Sequence, residues 1–343
     1  MSDLPLDALT AWCETHVRDF RGPLTATKFK GGQSNPTYRL DAGSGSYVLR
    51  RKPFGPLLPG AHAVEREFRV LTALHGHGVP VAQPLGLCLD ESVLGAVFYV
   101  MAFIEGRIFW DPSLPEVPVA ERGAYYEEML RVLAALHGED VIALGLGDFG
   151  KPGNYFERQI ATWSRQYRAS ETTRIEAMET LIAALPERCP HDDGRVALVH
   201  GDFRIDNLIW HPTEARIVAI VDWELATLGH PLADLGYLCM ALRLPRNPAL
   251  PGLADSDRAA LGIPDEAGMI ERYNALSHRR GVGDWAFVLA FSFFRLAAIA
   301  QGVAKRAQQG NASNERAAEA GAMAAMLAIL GAAQLQSRPQ TPR

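Results

Sequence analysis

Cysteine is scarce in this 343-residue chain: Cys13, Cys88, Cys189 and Cys239 lie far apart and form no CxxC pair. That spacing argues against a zinc ribbon, a thioredoxin-like site or a secreted disulfide scaffold, and the four residues read as core thiols. Excess positive charge is lacking too. With 34 Lys and Arg against 39 Asp and Glu, the net charge is -5, so nothing in the balance attracts a polyphosphate backbone and nucleic acid is not an expected partner. Long apolar runs are missing from the C-terminal region, where residues 320–333 fall short of the roughly 20 residues of a membrane span. The N-terminus carries acids where a signal peptide needs a basic stretch, and Asp7, Glu14 and His16 interrupt its apolar residues as in an amphipathic helix. These absences lead to the expectation of a cytoplasmic protein with no membrane partner.

What is present is an ordinary globular composition, 48% hydrophobic and 21% charged, long enough for two domains or two lobes. A chain of this length buries roughly 75% of its unfolded surface on folding, so no structural metal is needed. Residues 25–104 have strand-like character, with Gly and Pro punctuating the gaps between the segments TATKFKGG, TYRLDAG, GSYVLRRKP, QPLGLCL and AVFYVMAFI. One helix interrupts them at 61–74, with Val64, Phe68, Leu71 and Leu74 spaced for a single face. From about residue 118 the pattern turns helical, at 119–137, 154–170, 231–243, 265–280 and 284–309. The expected fold class is α+β, with a sheet-rich lobe over 1–104, a helical lobe over 105–335, a cleft at their junction near 103–106, and a disordered tail over 336–343.

Residues 198–224, LVHGDFRIDNLIWHPTEARIVAIVDWE, carry the chemistry. The segment reads as a short strand, a polar loop with Asp202 and Asn207, then a hairpin whose second strand ends on Asp222. A hairpin returns the chain to its start, so these three side chains are expected to converge. Two carboxylates and an amide oxygen are hard donors suited to Mg²⁺ rather than zinc. His200 reads as a loop organiser.

The motif H-G-D-x-x-x-x-N at 200–207 followed by V-D-W-E at 221–224 resembles the catalytic core of the aminoglycoside phosphotransferase family, relatives of choline kinases and protein kinases. The resemblance implies a bilobal protein-kinase-like fold and an ATP- and Mg²⁺-dependent enzyme. Asp202 would position and deprotonate an acceptor hydroxyl, Asn207 and Asp222 would hold Mg²⁺ on the ATP phosphates, and Arg204 would neutralise the transferred phosphoryl group. In the loop KGGQSNPTYRL, Gly31 and Gly32, with Ser34, would approach the phosphates. YVLR at 47–50 matches the V-A-I-K strand with Arg50 in place of lysine, and Lys52, on the same face, is the alternative cation. Glu67 would pair with that cation, Glu65 being the competitor two residues away. Backbone groups from Ala102 to Ile104 would meet adenine. Leu136-His137 closes a helix as in this family, and Asp234 in HPLADLGYL would brace the catalytic loop.

The segments GGQSNPTY, YVLRRKP, AHAVERE, YVMAFIEG and GNYFERQIATW are most similar to the subgroup related to the kinase-like domain fused to acyl-CoA dehydrogenases. That points to a small-molecule acceptor, a hydroxyacyl group free or as its CoA thioester. Arg243, Arg246, Arg272, Arg279, Arg280 and Arg295 would meet its anionic group, and FVLAFSFF would line an acyl pocket. The rivals are an aminoglycoside kinase, for which Asp265, Glu266 and Glu271 supply few acids, and a non-catalytic nucleotide-binding scaffold.

Overall fold

The structure is a computed structural model that describes residues 4–29, 35–55, 62–151, 153–247, 250–279, 281–308 and 317–336. It divides into two compact units. The first comprises Met1–Arg107, Leu144–Leu146 and Leu208–Ala226; the second comprises Ile108–Ala143, Gly147–Asn207 and Thr227–Arg343.

In the first unit the alternating segments form β1 (Leu24–Lys28), β2 (Thr37–Ala42), β3 (Gly45–Arg51), β4 (Pro84–Cys88) and β5 (Phe98–Ala102). They make an antiparallel sheet in the order β1-β2-β3-β5-β4. The amphipathic N-terminal segment is α1 (Leu6–His16), which buries Leu9, Trp12 and Cys13 in a core shared with Tyr38, Leu40, Leu49 and Phe98. The helix between the strands is α2 (Val64–Leu74), with Val64, Glu67, Val70, Leu71 and Leu74 buried. That periodicity brings one carboxylate, Glu67, into an otherwise apolar face.

The second unit is built on α3 (Val119–Gly138), α4 (Tyr155–Ser170), α5 (Glu176–Glu187), α6 (Leu232–Met240), α7 (Glu266–Leu276), α8 (Trp285–Gln308) and α9 (Ala317–Gln336). A two-stranded ribbon of β6 (Ala197–Val199) and β9 (Thr227–Gly229) runs among them. In α8, Phe287, Leu289, Ala290, Phe291, Phe293 and Phe294 are all buried, so FVLAFSFF is helix core. Trp285–Ala307 is long and apolar enough to cross a membrane by length and composition, and most of its apolar window lies buried inside the fold.

The division expected at residue 104 and the observed grouping differ at the hairpin β7 (Leu208–Trp210) and β8 (Ile217–Ile220), which packs with the first unit. The reason is a set of backbone bonds: Arg107 and Trp210 exchange N–H to O bonds of 2.8 Å in both directions, and Ile220 N–H donates to Pro80 O at 2.9 Å. A Cβ on Gly106 would run into the Trp210 carbonyl, so only glycine lets the two backbones approach there. Among the cysteines, Cys13, Cys88 and Cys239 are buried as expected, whereas Cys189 is only half-buried. Of the expected tail, residues 337–343 lie outside the described residues.

Candidate active site

Functional side chains gather in two sets, one in each unit. In the first, the β3 register places Arg50 opposite Tyr99 of β5 and aims its guanidinium at α2. Arg50 Nε lies 2.9 Å from Glu67 Oε2, close enough for an ion pair, but its N–H is not directed along that line, so the attraction is one of charge. Arg50 Nη2 donates to Asp222 Oδ1 at 2.7 Å and lies 3.8 Å from Glu224 Oε2. Asn35 Nδ2 donates to Glu67 Oε1 at 2.9 Å, and the Tyr99 hydroxyl donates to Glu67 Oε2 at 3.3 Å.

Burial alone would lower the Arg50 pKa, but the charges of Glu67 and Asp222 outweigh it and hold the guanidinium protonated. Burial pushes the Glu67 carboxyl up, and the same guanidinium works against that. The two alternatives left open by the sequence resolve into parallel pairs: Glu67 faces Arg50, while Glu65 Oε1 accepts from Lys52 Nζ at 2.9 Å. Asp222 sits in the left-handed region, φ 67° and ψ 61°, sparsely populated by residues other than glycine and a form of strain that concentrates at functional sites.

In the second unit the loop after β6 hangs on Asp234, the buried acid of α6. Asp234 Oδ2 accepts from His200 N–H at 2.7 Å and Oδ1 from Gly201 N–H at 2.8 Å. His137, near the C-terminus of α3, lies with Nε2 3.1 Å from Asp234 Oδ2 and Nδ1 2.6 Å from the Tyr273 hydroxyl. Burial lowers the His137 pKa, which favours the neutral ring donating from Nε2 and accepting at Nδ1. Burial would raise Asp234, yet the hydrogen bond from His137 and the Gly201 amide reverse the balance and hold it below the usual carboxylate range. His200 organises the loop as its position suggested: Asp202 N–H donates to His200 Nδ1 at 3.1 Å.

Asp202 keeps an opening to solvent. Desolvation by the surrounding protein raises its pKa, while the Arg204 charge and the Tyr237 hydroxyl pull the other way. Asn207 Nδ2 donates to Asp202 O at 2.9 Å and to Asp202 Oδ2 at 2.8 Å. With Nδ2 bonded twice to Asp202, Asn207 Oδ1 accepts no hydrogen bond among the described residues and is a candidate hard donor. Arg204 Nε donates to Asp206 Oδ1 at 2.5 Å and its Nη2 to Asp206 Oδ2, so its fork is taken up by a neighbouring carboxylate. Among the described residues no group of three or more His, Cys, Asp or Glu side chains converges on one point. Asp222 in the first unit and Asn207 in the second each offer an oxygen donor, the hard kind that Mg²⁺ takes alongside phosphates and water.

The remaining expectations divide. Gly31, Gly32 and Ser34 lie outside the described residues. Ala102 N–H is already given to Gln83 O at 2.9 Å and Phe103 N–H to Ser46 O at 3.3 Å, which leaves Ile104 as the segment's available backbone donor. Of the acceptor arginines, Arg243 pairs with Glu266, Arg246 with Asp111 and Arg272 with Glu127; Arg280 lies outside the described residues. Asp265 caps α7 by accepting from Gly268 N–H, and of FVLAFSFF only Val288 borders the large cavity of the second unit. That cavity, about 890 Å³, lies in the second unit between the start of α4, residues 189–196 and the start of α8, and neither Asp202 nor Asn207 lines it. Asn35, Tyr99, Tyr237 and Tyr273 escaped the sequence reading. For Tyr99 the available signal was strand register opposite Arg50.

Residues 25–270 match the family described as phosphotransferase enzyme family. A protein from Ralstonia eutropha, solved as a candidate aminoglycoside phosphotransferase, is 49% identical, with a TM-score of 0.88 over 97% of this chain and 98% of that one. The mouse protein acyl-CoA dehydrogenase family member 10 is 46% identical over 332 residues, 95% of this chain, and the chain spans about a third of its length, 31%. A thermostable mutant of aminoglycoside phosphotransferase APH(4)-Ia, in ternary complex with ADP and hygromycin B, shares the fold at 16% identity, with a TM-score of 0.60 over 96% of this chain and 98% of that one.

Proposed function

The chain belongs to the phosphotransferase enzyme family, and on that premise we propose that it moves the γ-phosphoryl group of ATP to a hydroxyl of a small organic molecule. The observation that carries this reading is Asp202: a half-buried residue whose carboxylate pKa is raised by desolvation, fixed by Asn207 on a loop that Asp234 anchors. A general base works better as its pKa rises toward the operating pH, and desolvation shifts Asp202 in that direction. The new bond joins the acceptor oxygen to phosphorus, the bond to the ADP oxygen breaks, and the acceptor proton passes to Asp202. A phosphoryl-transfer transition state leaves little covalent work to the protein, so positioning and charge carry the rate.

Bound Mg²⁺ would neutralise phosphate charge and orient the phosphates. Asn207 Oδ1 and the Asp222 carboxylate are the donors this chain offers it. Arg50, held by Glu67, would give the phosphates the cation that it now gives Asp222. The ADP complex of APH(4)-Ia supports an adenine nucleotide as donor.

For the acceptor, the likeness to acyl-CoA dehydrogenase family member 10 favours a hydroxyacyl group over an aminoglycoside, by analogy with fused proteins that join consecutive steps. Glu266 and Asp265, which a polycation would need, are engaged by Arg243 and by the α7 backbone. The test is ADP release with matched panels of hydroxyacyl-CoAs, free hydroxy acids, aminoglycosides and amino alcohols. Faster turnover of aminoglycosides or choline removes the hydroxyacyl acceptor, and no turnover with any panel, together with MgATP binding, turns the reading into a nucleotide-binding scaffold.

A further inference from the structure

Arg295 of α8 is 3% exposed, and among the described residues it has no hydrogen-bond or ion-pair partner. The other buried arginines are provided for. Arg50 has Glu67 and Asp222, Arg51 donates to Lys52 O and the Tyr38 hydroxyl, and Arg122 donates to Val117 O. Arg295 has aromatic faces only, its guanidinium carbon lying 5.5 Å from the Trp163 ring of α4 and 5.7 Å from the Tyr237 ring of α6. Its Nε is fully enclosed without a hydrogen-bond partner, and among the described residues Nη1 and Nη2 make no hydrogen bond either.

Taking a guanidinium out of water is costly unless it is paired. Two ring contacts offset part of that cost and satisfy none of the five N–H donors. An anion that accepts from Nη1 and Nη2 would complete the site, in a fork geometry that matches carboxylate and phosphate. The position matters as well. Tyr237, which stacks under Arg295, is the same tyrosine whose hydroxyl acts on the Asp202 carboxylate.

We propose that Arg295, walled by Trp163 and Tyr237, is an anion-binding site that holds the carboxylate or phosphate of an organic acceptor beside Asp202. The acceptor part of this inference rests on the phosphotransfer reading; the anion site itself does not. Arg295 thereby sets specificity among acceptors, and the paired arginines Arg243, Arg246 and Arg272 do not share the task.

Three probes separate the sources of the anion: 3-hydroxybutyrate, which offers a carboxylate; 3-hydroxybutyryl-CoA, which offers phosphates; and the uncharged 3-hydroxybutyryl thioester of N-acetylcysteamine. Binding is measured by calorimetry without nucleotide on the wild type, Arg295→Gln and Arg295→Lys, with circular dichroism to check the fold. One anionic probe should bind the wild type more tightly than the neutral thioester, weaken by about tenfold or more in Arg295→Gln, and recover most of its affinity in Arg295→Lys. In ADP release the same loss should fall on KM for the anionic probe, with the neutral thioester unmoved. Equal binding of both anions by wild type and a folded Arg295→Gln protein overturns the proposal, as does a wild type that prefers the neutral thioester. Anion binding that depends on Arg295 with no ADP release from any probe supports the site and removes the phosphotransfer reading instead.

Discussion

Glu67 and Asp234 are both buried carboxylates, 2% and 0% exposed, and their surroundings differ in kind. Glu67 is held by side chains alone: a guanidinium, an amide and a phenol. Asp234 is held by two backbone N–H groups and one imidazole, and among the described residues no Lys or Arg pairs with it. A charge matched by a mobile side chain can exchange partners when phosphate arrives, since Arg50 already divides itself between Glu67 and Asp222. A charge matched by backbone amides cannot exchange without unmaking the loop. The first arrangement suits ligand response and the second suits a fixed base.

The largest test of that contrast is Asp202→Ala. Transfer measured by ADP release should fall roughly 10²- to 10⁴-fold while melting and nucleotide binding stay close to wild type, because the loop hangs on Asp234 and not on Asp202. Near-normal turnover by a folded variant removes Asp202 from the chemistry.

Next in size is Arg50→Ala, which leaves Glu67 buried without its cation and should cost about 3–5 kcal/mol of stability in denaturant titrations. The same variant should lose the rise in melting temperature that MgATP gives the wild type. Asp234→Asn, by contrast, turns an amide toward backbone donors, and should cost about 2–4 kcal/mol yet keep a MgATP shift of ordinary size. A variant at Asp234 that melts normally but ignores MgATP would reverse the roles assigned to the two acids.

Stability against pH sharpens the second half of the comparison. The native His137 pKa lies below its ordinary 6.5, so below pH 6.5 the unfolded chain takes up a proton that the native state refuses, and stability declines as the solution is acidified. Asp234, depressed from 3.8, contributes stability that is complete above pH 3.8 and disappears as pH falls through its lower native value. His137→Gln should flatten the first limb of a melting-temperature profile, and shift the second only as far as the lost imidazole contact to Asp234 allows. An unchanged slope between pH 6.5 and 4 places the titration elsewhere.

The smallest effect belongs to Lys52→Gln. Its partner Glu65 is partly exposed, so the pair is worth at most about 1 kcal/mol, and the KM for ATP should move far less than in Arg50→Gln. The opposite ranking makes Lys52 the phosphate cation.

Much of this was legible in the sequence, and the reasons are local. The five strands of the sheet are short apolar-rich runs between Gly and Pro breaks, α2 carries a single apolar face, and the five-residue step from Asp202 to Asn207 sits within one loop. What escaped depends on contacts across long separations. Strand β9 has three residues and exists only because β6 pairs with it, and α5 contains Pro186 near its end, which blurs its periodicity. Asn35 precedes Pro36 and reads as a turn residue until Glu67 is seen to bond it, and His137 reads as a helix end until Asp234 and Tyr273 flank its ring. Arg295 looked like one of six comparable arginines, because burial without a partner leaves no mark in sequence.

The hairpin tied to Arg107 also bears on how the protein is made. The first unit comprises stretches that leave the ribosome at different times, because residues 208–226 emerge only after most of residues 108–207, which belong to the other unit. A nascent chain that has reached residue 107 still lacks the backbone partner of Arg107 and the donor that Ile220 gives to Pro80. Folding of that unit therefore ends late in translation, and a fragment cut after residue 107 holds all five strands of the sheet but lacks the hairpin that packs with them.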